Sequence, residues 1–110
     1  MSRGQLRHKL TLLRVQLVDD GFQKIESFAP FGHPVFAERR DVSDAERLRS
    51  GSVAAEIATR FRLRRSALAD QITAADRLEV SGVIWSIIGP PKLTGDDDRM
   101  LEISCVRAAP

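Results

Sequence analysis

The stretch "IATRFRLRRS", residues 57–66, decides the fold class because its apolar and charged side chains alternate along the chain. Successive side chains of a β-strand point to opposite faces of the sheet, so residues of one parity share a face. Ile57, Phe61 and Leu63 therefore share one face. The other face carries three arginines, Arg60, Arg62 and Arg64. The alternation predicts a half-buried strand.

Further strand patterns lie on both sides of this stretch. Residues 77–89, "RLEVSGVIWSIIG", predict a hairpin that turns at Ser81 and Gly82. Its second half, residues 83–88, has apolar side chains on both faces of the strand and is expected to be the most buried strand. The patterns predict an all-β fold, a small antiparallel barrel or sandwich of about six strands. The remaining predicted strands cover residues 8–18, 22–28, 35–42 and 100–106.

The first predicted strand changes its apolar face partway along. Leu10 and Leu12 have one parity, whereas Leu13, Val15 and Leu17 have the other. One extra residue in a strand exchanges its faces, so the pattern predicts a β-bulge near Leu12 and Leu13.

One short helix is predicted at residues 44–50. Ser43 precedes Glu46 by three residues, the spacing at which each side chain caps the backbone amide of the other. Gly51 is well placed to end the helix, because glycine adopts the left-handed conformation found just beyond helix ends.

Composition narrows the possible partners. The chain of 110 residues has 17 basic and 15 acidic residues, so its formal charge of +2 does not by itself demand a polyanionic partner.

The length of the chain predicts one domain over residues 1–110. Cys105 is the only cysteine, which favours a reducing compartment, and no window has the apolar length of a membrane span. We expect a soluble, intracellular protein.

The residue types that usually carry catalysis are sparse. His8, His33 and Cys105 lie far apart in sequence, and no pair has the close spacing of a structural zinc site. The acidic run at residues 96–98 lacks the alternate oxygens and downstream glutamate of a calcium loop, so it predicts a solvated turn. No nucleophile lies in a catalytic motif, and there is no glycine-rich phosphate loop. We therefore expect no enzyme activity, no metal and no cofactor.

The arginine row has two interpretations. It is either an ordinary solvated face, or a face that contacts acidic groups of another subunit or the phosphates of DNA. Proteins that bind single-stranded nucleic acid place aromatic side chains on the basic face, whereas Phe61 points away from the arginines. The acidic residues available as partners are Glu38, Asp41, Asp44, Glu46 and Glu56.

Five segments, taken in order, carry a further signal: "GQLRHKLTLLR" (4–14), "VFAERRDVSDAER" (35–47), "ATRFRLRR" (58–65), "ITAADRLEVSGVIWSIIG" (72–89) and "MLEISCV" (100–106). Together they resemble a known family, the head-tail joining proteins of tailed bacteriophages. These are also called head completion or stopper proteins, and related versions occur in gene transfer agents. Phe36 departs from the resemblance, because the family often has tryptophan at that position, and the loop at residues 29–34 is longer than usual.

The resemblance implies a small β-barrel that forms a ring of six or twelve copies in the connector of a virion. Such a ring would lie below the portal and its adaptor, retain packaged DNA and offer a docking surface to a tail terminator or tail tube protein. The implied partners are thus further copies of the chain, the portal-adaptor complex, tail proteins and double-stranded DNA passing through the channel. No membrane is implied, and assembly would occur in the bacterial cytoplasm before the subunit resides in the virion.

Two segments are candidates to project into such a channel, residues 21–34 and residues 41–56. The second is favoured, since its capped helix would present Arg47 and Arg49 to a neighbour or to the lumen. The candidate contact residues for a subunit or DNA are Arg60, Arg62, Arg64, Arg47, Arg49, Glu38 and Asp41. The alternative function is a free small barrel that binds nucleic acid through the arginine row. A third possibility is a related tail-completion or adaptor subunit, one layer away in the same connector.

Overall fold

The structure, a computed structural model, describes residues 6–46 and 57–108. Within these ranges the backbone forms eight β-strands and two short 3-10 turns, at Ala69–Gln71 and Asp96–Asp98. No helix among the described residues is long and apolar enough to cross a bilayer. The strands are β1 (His8–Asp19), β2 (Lys24–Pro30), β3 (Val35–Asp41), β4 (Thr59–Arg64), β5 (Arg77–Val80), β6 (Val83–Ile87), β7 (Lys92–Thr94) and β8 (Met100–Arg107).

Six of the strands close into an antiparallel barrel in the order β1-β3-β4-β8-β6-β5. The barrel closes where β5 pairs with the middle of β1, with Leu12 opposite Leu78. β2 extends the sheet from β1, and β7 pairs with the first residues of β8. The predicted all-β fold, a small antiparallel barrel of about six strands, is confirmed.

The core lies inside this barrel. Phe61 and Leu63 of β4 are fully buried, as the alternation predicts. The rings of Phe61 and Trp85 pack edge to face, with their centroids 6.0 Å apart. The turn at Ala69–Gln71 adds Ala69 and Ile72 to this apolar cluster. The remaining buried members include Leu10, Leu12, Ala37, Leu78, Val80, Ile87, Leu101, Ile103 and Cys105.

The hairpin between β5 and β6 is confirmed, but its predicted burial is wrong. Val80 pairs with Val83, and both turn residues, Ser81 and Gly82, have positive φ (51° and 82°), as a two-residue type I′ turn requires. Ile84 and Ser86 are only half-buried, because β6 is a wall of the barrel with one face turned away from the core. The more deeply buried strands are β4 and β8.

β1 contains no bulge at the predicted position. Its register with β5 runs without interruption through Leu12 and Leu13, so the bulge prediction is wrong. The change of apolar face has another cause, since β1 leaves the barrel beyond Leu13. Residues 14–29, called the arm below, form a two-stranded antiparallel ribbon that continues from Arg14 opposite Ala29 to the tip. The apolar residues of its outer half are exposed rather than packed in the core.

The predicted helix begins where expected. Asp44–Glu46 are helical, and the Ser43 hydroxyl accepts a hydrogen bond from the Glu46 amide at 3.2 Å. This is one half of the predicted capping pair. The rest of the predicted helix and Gly51 lie outside the described residues.

Replacing Phe61 by alanine is expected to lower the free energy of unfolding by about 3–5 kcal/mol, because it leaves a cavity in the barrel. Phe36→Ala is the matched control, since Phe61 is 0% exposed and Phe36 is 55% exposed. The control should change stability by less than about 0.5 kcal/mol. Urea titration of the two variants checks this, and equal losses would contradict the core assignment.

Candidate subunit and DNA contact surface

The arginine row lies on the outer face of the barrel and is interleaved with carboxylates. Arg62 in β4 stands directly opposite Glu38 in β3 on one side. On the other side it stands opposite Glu102 in β8. Cross-strand neighbours on one face lie close enough for opposite charges to stabilise the sheet. The strand register therefore supplies Arg62 with an acidic neighbour on each side, whereas Arg60 stands opposite Arg40 in β3.

Arg60 is already engaged within the chain. Its guanidinium forms an ion pair with Glu46 through Nη1 at 2.5 Å, and its Nε lies 3.8 Å from Glu102. Glu46 thus belongs to an intrachain contact between the start of the helix and β4. The predicted role of Arg60 toward a neighbour or DNA requires that this pair be shared or broken.

Arg62 and Arg64 differ in their surroundings. Arg62 Nη2 donates to Thr94 Oγ1 at 3.4 Å, and its buried Nε has no hydrogen-bond partner among residues 6–46 and 57–108. Arg64, at the end of β4, is exposed and forms no ion pair within those ranges. Arg64 is therefore the member of the row best placed to meet another molecule.

Arg62 and Arg64 line an open groove of about 1010 Å³ at one end of the barrel. Within it, Arg65 and Asp70 form a two-point ion pair whose distances are 3.2 and 3.0 Å. The groove has four arginines and five acidic residues, so it is not a positive track for a phosphate backbone. Its charged lining consists of Arg62, Arg64, Arg65, Arg99, Glu38, Asp70, Asp96, Asp97 and Asp98.

The remaining candidate contact residues are Asp41, Arg47 and Arg49. Asp41 accepts a hydrogen bond from Arg39 at 2.9 Å, and that bond is the main reason why the pKa of Asp41 lies below its usual value. Arg39 also stacks over Trp85, 5.1 Å from the ring centroid. Arg47 and Arg49 lie outside the described residues, as does Glu56.

An ion pair that the sequence patterns do not predict fixes the base of the arm. Arg14 donates from Nε and Nη2 to the two carboxylate oxygens of Asp76, both at 3.0 Å. Its Nη2 also reaches the carbonyl of Gln71 at 2.7 Å. The guanidinium lies 4.1 Å from the centre of the Phe31 ring. These contacts join β1 to the loop before β5.

Asp76 is almost fully buried, at 3% exposure. Burial raises the pKa of its carboxyl, but hydrogen bonds from Arg14 and the Thr73 amide outweigh that effect, so the net pKa lies below the usual value. The sequence contains no signal for this pair, because the two residues lie 62 positions apart and the Arg14 side chain is 40% exposed.

Cys105 is placed as a core residue. It is fully buried, and burial raises the pKa of its thiol to about 12, so the thiolate that acts as nucleophile is scarce at neutral pH. Among the described residues, no group of three or more His, Cys, Asp or Glu side chains is arranged to hold a metal ion. The chemistry of this surface is therefore that of ion pairs and apolar contacts.

Comparison with known proteins gives one family. A model of the phage head completion protein family matches residues 1–108. The head completion protein gp7 of Enterobacteria phage HK97 is 32% identical over 99% of this chain and 98% of its own length. The solution structure of protein SF1141 from Shigella flexneri 2a superposes with a TM-score of 0.74 at 30% identity, covering 99% of this chain and 98% of that one. A chain from the virion of a native gene transfer agent particle has the same fold, with a TM-score of 0.63, 19% identity and 94% coverage of both chains.

Asp76→Asn is expected to lower the free energy of unfolding at pH 7 by roughly 1–3 kcal/mol, because it removes the charged acceptor of Arg14. A carboxyl whose pKa is lowered by folding stabilises the protein above its unfolded pKa of about 3.9, and this stabilisation is lost as the pH falls through the folded value. The difference between parent and variant should therefore shrink below about pH 4.

The matched control is Asp70→Asn. It breaks the Arg65–Asp70 pair, in which both side chains are 42% exposed, and exposed pairs contribute less than about 1 kcal/mol. Urea titrations at pH 7 and pH 3 measure both variants. A loss for Asp76→Asn that is independent of pH would contradict the assigned ion pair.

Proposed function

The chain belongs to the phage head completion protein family, and from that premise we propose that it is a structural subunit of the connector between the head and the tail of a virion. The match over residues 1–108 carries the proposal. In this role the subunit forms a ring below the portal and its adaptor, retains packaged DNA and offers a docking surface to the tail. The work is non-covalent association, without catalysis.

Several features of the barrel suit a ring subunit. The closed sheet is rigid and leaves few unpaired strand edges, so contacts with neighbours occur through side chains on fixed positions. The outer face that carries Arg62 presents both signs of charge, which favours register between copies more than tight binding. A face of this kind supports association that is specific and polar.

The proposed partners are further copies of the chain in a ring of six or twelve, the portal-adaptor complex, and a tail terminator or tail tube protein. Double-stranded DNA passes through the ring. The subunit is assembled in the bacterial cytoplasm and resides in the virion. Its candidate contacts with a neighbouring subunit or DNA are Arg60, Arg62, Arg64, Glu38 and Asp41, together with Arg47 and Arg49.

Balanced charge favours protein over DNA as the partner of the arginine row. Arg60 and Arg62 each have a carboxylate beside them, and the adjoining groove carries one more acidic than basic residue. Phosphates approaching this face would meet carboxylates as well as guanidinium groups. We therefore assign the row chiefly to subunit contacts.

Deletion of the gene tests the proposed function. In the phage or gene transfer agent that encodes the chain, deletion should leave heads that contain a portal but lose their DNA and lack tails. Electron microscopy and nuclease protection of head DNA measure the two defects, and expression of the parent chain from a plasmid should restore both. Tailed, DNA-filled particles from the deletion strain would overturn the proposal.

The isolated chain should bind duplex DNA weakly. We expect a Kd no tighter than the range of about 10⁻⁴–10⁻⁶ M that is typical of non-specific binding at physiological salt. Changing Arg60, Arg62 and Arg64 together to alanine should alter that value by less than about threefold, because carboxylates lie beside Arg60 and Arg62 and the groove beside Arg64 has more acidic than basic residues. Fluorescence anisotropy at several salt concentrations checks this. Tight, salt-sensitive binding that the triple variant abolishes would favour the nucleic-acid-binding alternative.

A further inference from the structure

The arm carries apolar side chains that the barrel does not bury. Leu17 is 64% exposed, and Val18 and Ile25, which stand opposite each other near the tip, are also exposed. Leu17 and Val18 have opposite parity, so both faces of the ribbon carry exposed apolar side chains among polar ones. An isolated two-stranded ribbon is only marginally stable in water. Several exposed apolar side chains on one projecting element are typical of an interaction site.

Phe22 projects from the tip of the arm and is 97% exposed. The turn that presents it is held by side-chain caps. Asp20 Oδ1 accepts hydrogen bonds from the amides of Phe22 at 2.9 Å and Gln23 at 2.8 Å, and Asp19 Oδ1 accepts one from Gly21 at 2.9 Å. The aromatic ring is thus offered on an ordered turn, which reduces the entropy lost when it binds.

A shallow pocket of about 280 Å³, with apolar walls and the charged pair Arg65 and Asp70 at its rim, lies elsewhere on the same chain, beside β7. Leu93, in its wall, is 50% exposed, although it pairs with the largely buried Leu101 across the sheet. The pocket adjoins the charged groove, because Arg65 and Asp70 line both. Its apolar walls come from Ala69, Ile72, Pro91, Leu93 and Leu101.

We propose that Phe22 inserts between the apolar walls of this pocket on an adjacent copy of the chain. The aromatic tip and the pocket lie on different surfaces, so the contact is heterologous, and repeated heterologous contacts close into a ring when the rotation permits. This inference rests on the proposed connector function and names the contact that would hold the ring together. In a closed ring, every tip and every pocket is occupied.

Unmatched charges support a second copy as the occupant. Asp20 at the tip has no basic partner among residues 6–46 and 57–108, and Arg64, in the charged groove that adjoins the pocket, has no acidic partner there. Insertion of Phe22 would bring these two opposite charges to the same interface, where they stabilise the correct docking. A DNA partner is disfavoured at the tip, because Asp19 and Asp20 outnumber the nearby Lys24 and would repel phosphates.

Photo-cross-linking in assembled particles tests the contact directly. A benzophenone amino acid replaces Phe22, and in a control replaces Phe36, which is exposed on β3. Mass spectrometry should find position 22 joined to residues 69–72 or 91–93 of a second copy, and position 36 not joined there. Cross-links from position 22 to DNA, to another virion protein or to a different part of the chain would overturn the inference.

Substitutions test whether the contact between Phe22 and the pocket is needed for particle assembly. Phe22→Ala and Leu93→Asp should each reduce the yield of tailed, DNA-filled particles by at least about tenfold, as loss of a buried aromatic anchor does. Phe36→Ala should leave the yield unchanged. Urea titration of each purified variant verifies that it folds like the parent. Normal particle yield with both Phe22→Ala and Leu93→Asp overturns the inference.

Finding where the chain lies in the particle distinguishes failure of the Phe22 contact from failure of the proposed connector function. If the chain is found in the connector by electron microscopy but position 22 does not cross-link to the pocket, the inference fails and the proposed function stands. If the chain is missing from particles, both fail.

Discussion

Pairing between the middle of β1 and β5 is the constraint on which the rest of the structure depends. Only three residues of β1 take part in it, Thr11, Leu12 and Leu13, yet they close the barrel. Closure removes two strand edges and places Leu12 against the core. It also limits how much of β1 the barrel uses. Because β1 continues to Asp19, its remaining residues leave the barrel and form the arm with β2.

Much of the fold follows from parity and turn chemistry in the sequence. Alternation places Phe61 in the core, and the pair Ser81 and Gly82 supplies the two positive φ angles of a tight hairpin. The patterns do not predict β7, because it has three residues directly after Pro90 and Pro91 and depends on pairing with β8. Burial of β6 is overestimated for a similar reason, since apolar composition does not reveal which face meets the core.

The surface is less accessible to sequence reasoning because its contacts are non-local. The arginine row is visible in the sequence, but the carboxylates beside it come from β3 and β8 and are brought there by strand register. The Arg14–Asp76 pair joins positions 62 residues apart. No pattern in the sequence marks Arg14 as one of a pair, and only the fold selects Asp76 from 15 acidic residues. Contacts between residues far apart in the sequence therefore cannot be predicted from local patterns.

The error at β1 follows from a general ambiguity in apolar patterns. Residues buried by the same chain and residues buried by another subunit produce the same alternation, so Val15 and Leu17 were consistent with a bulge that returned them to the core. The structure excludes the first case, since the register is continuous and both residues are exposed. A side chain such as Phe22 contributes almost nothing to the stability of the monomer. Its free energy of burial is therefore available for association, whereas that of Phe61 is already used in folding.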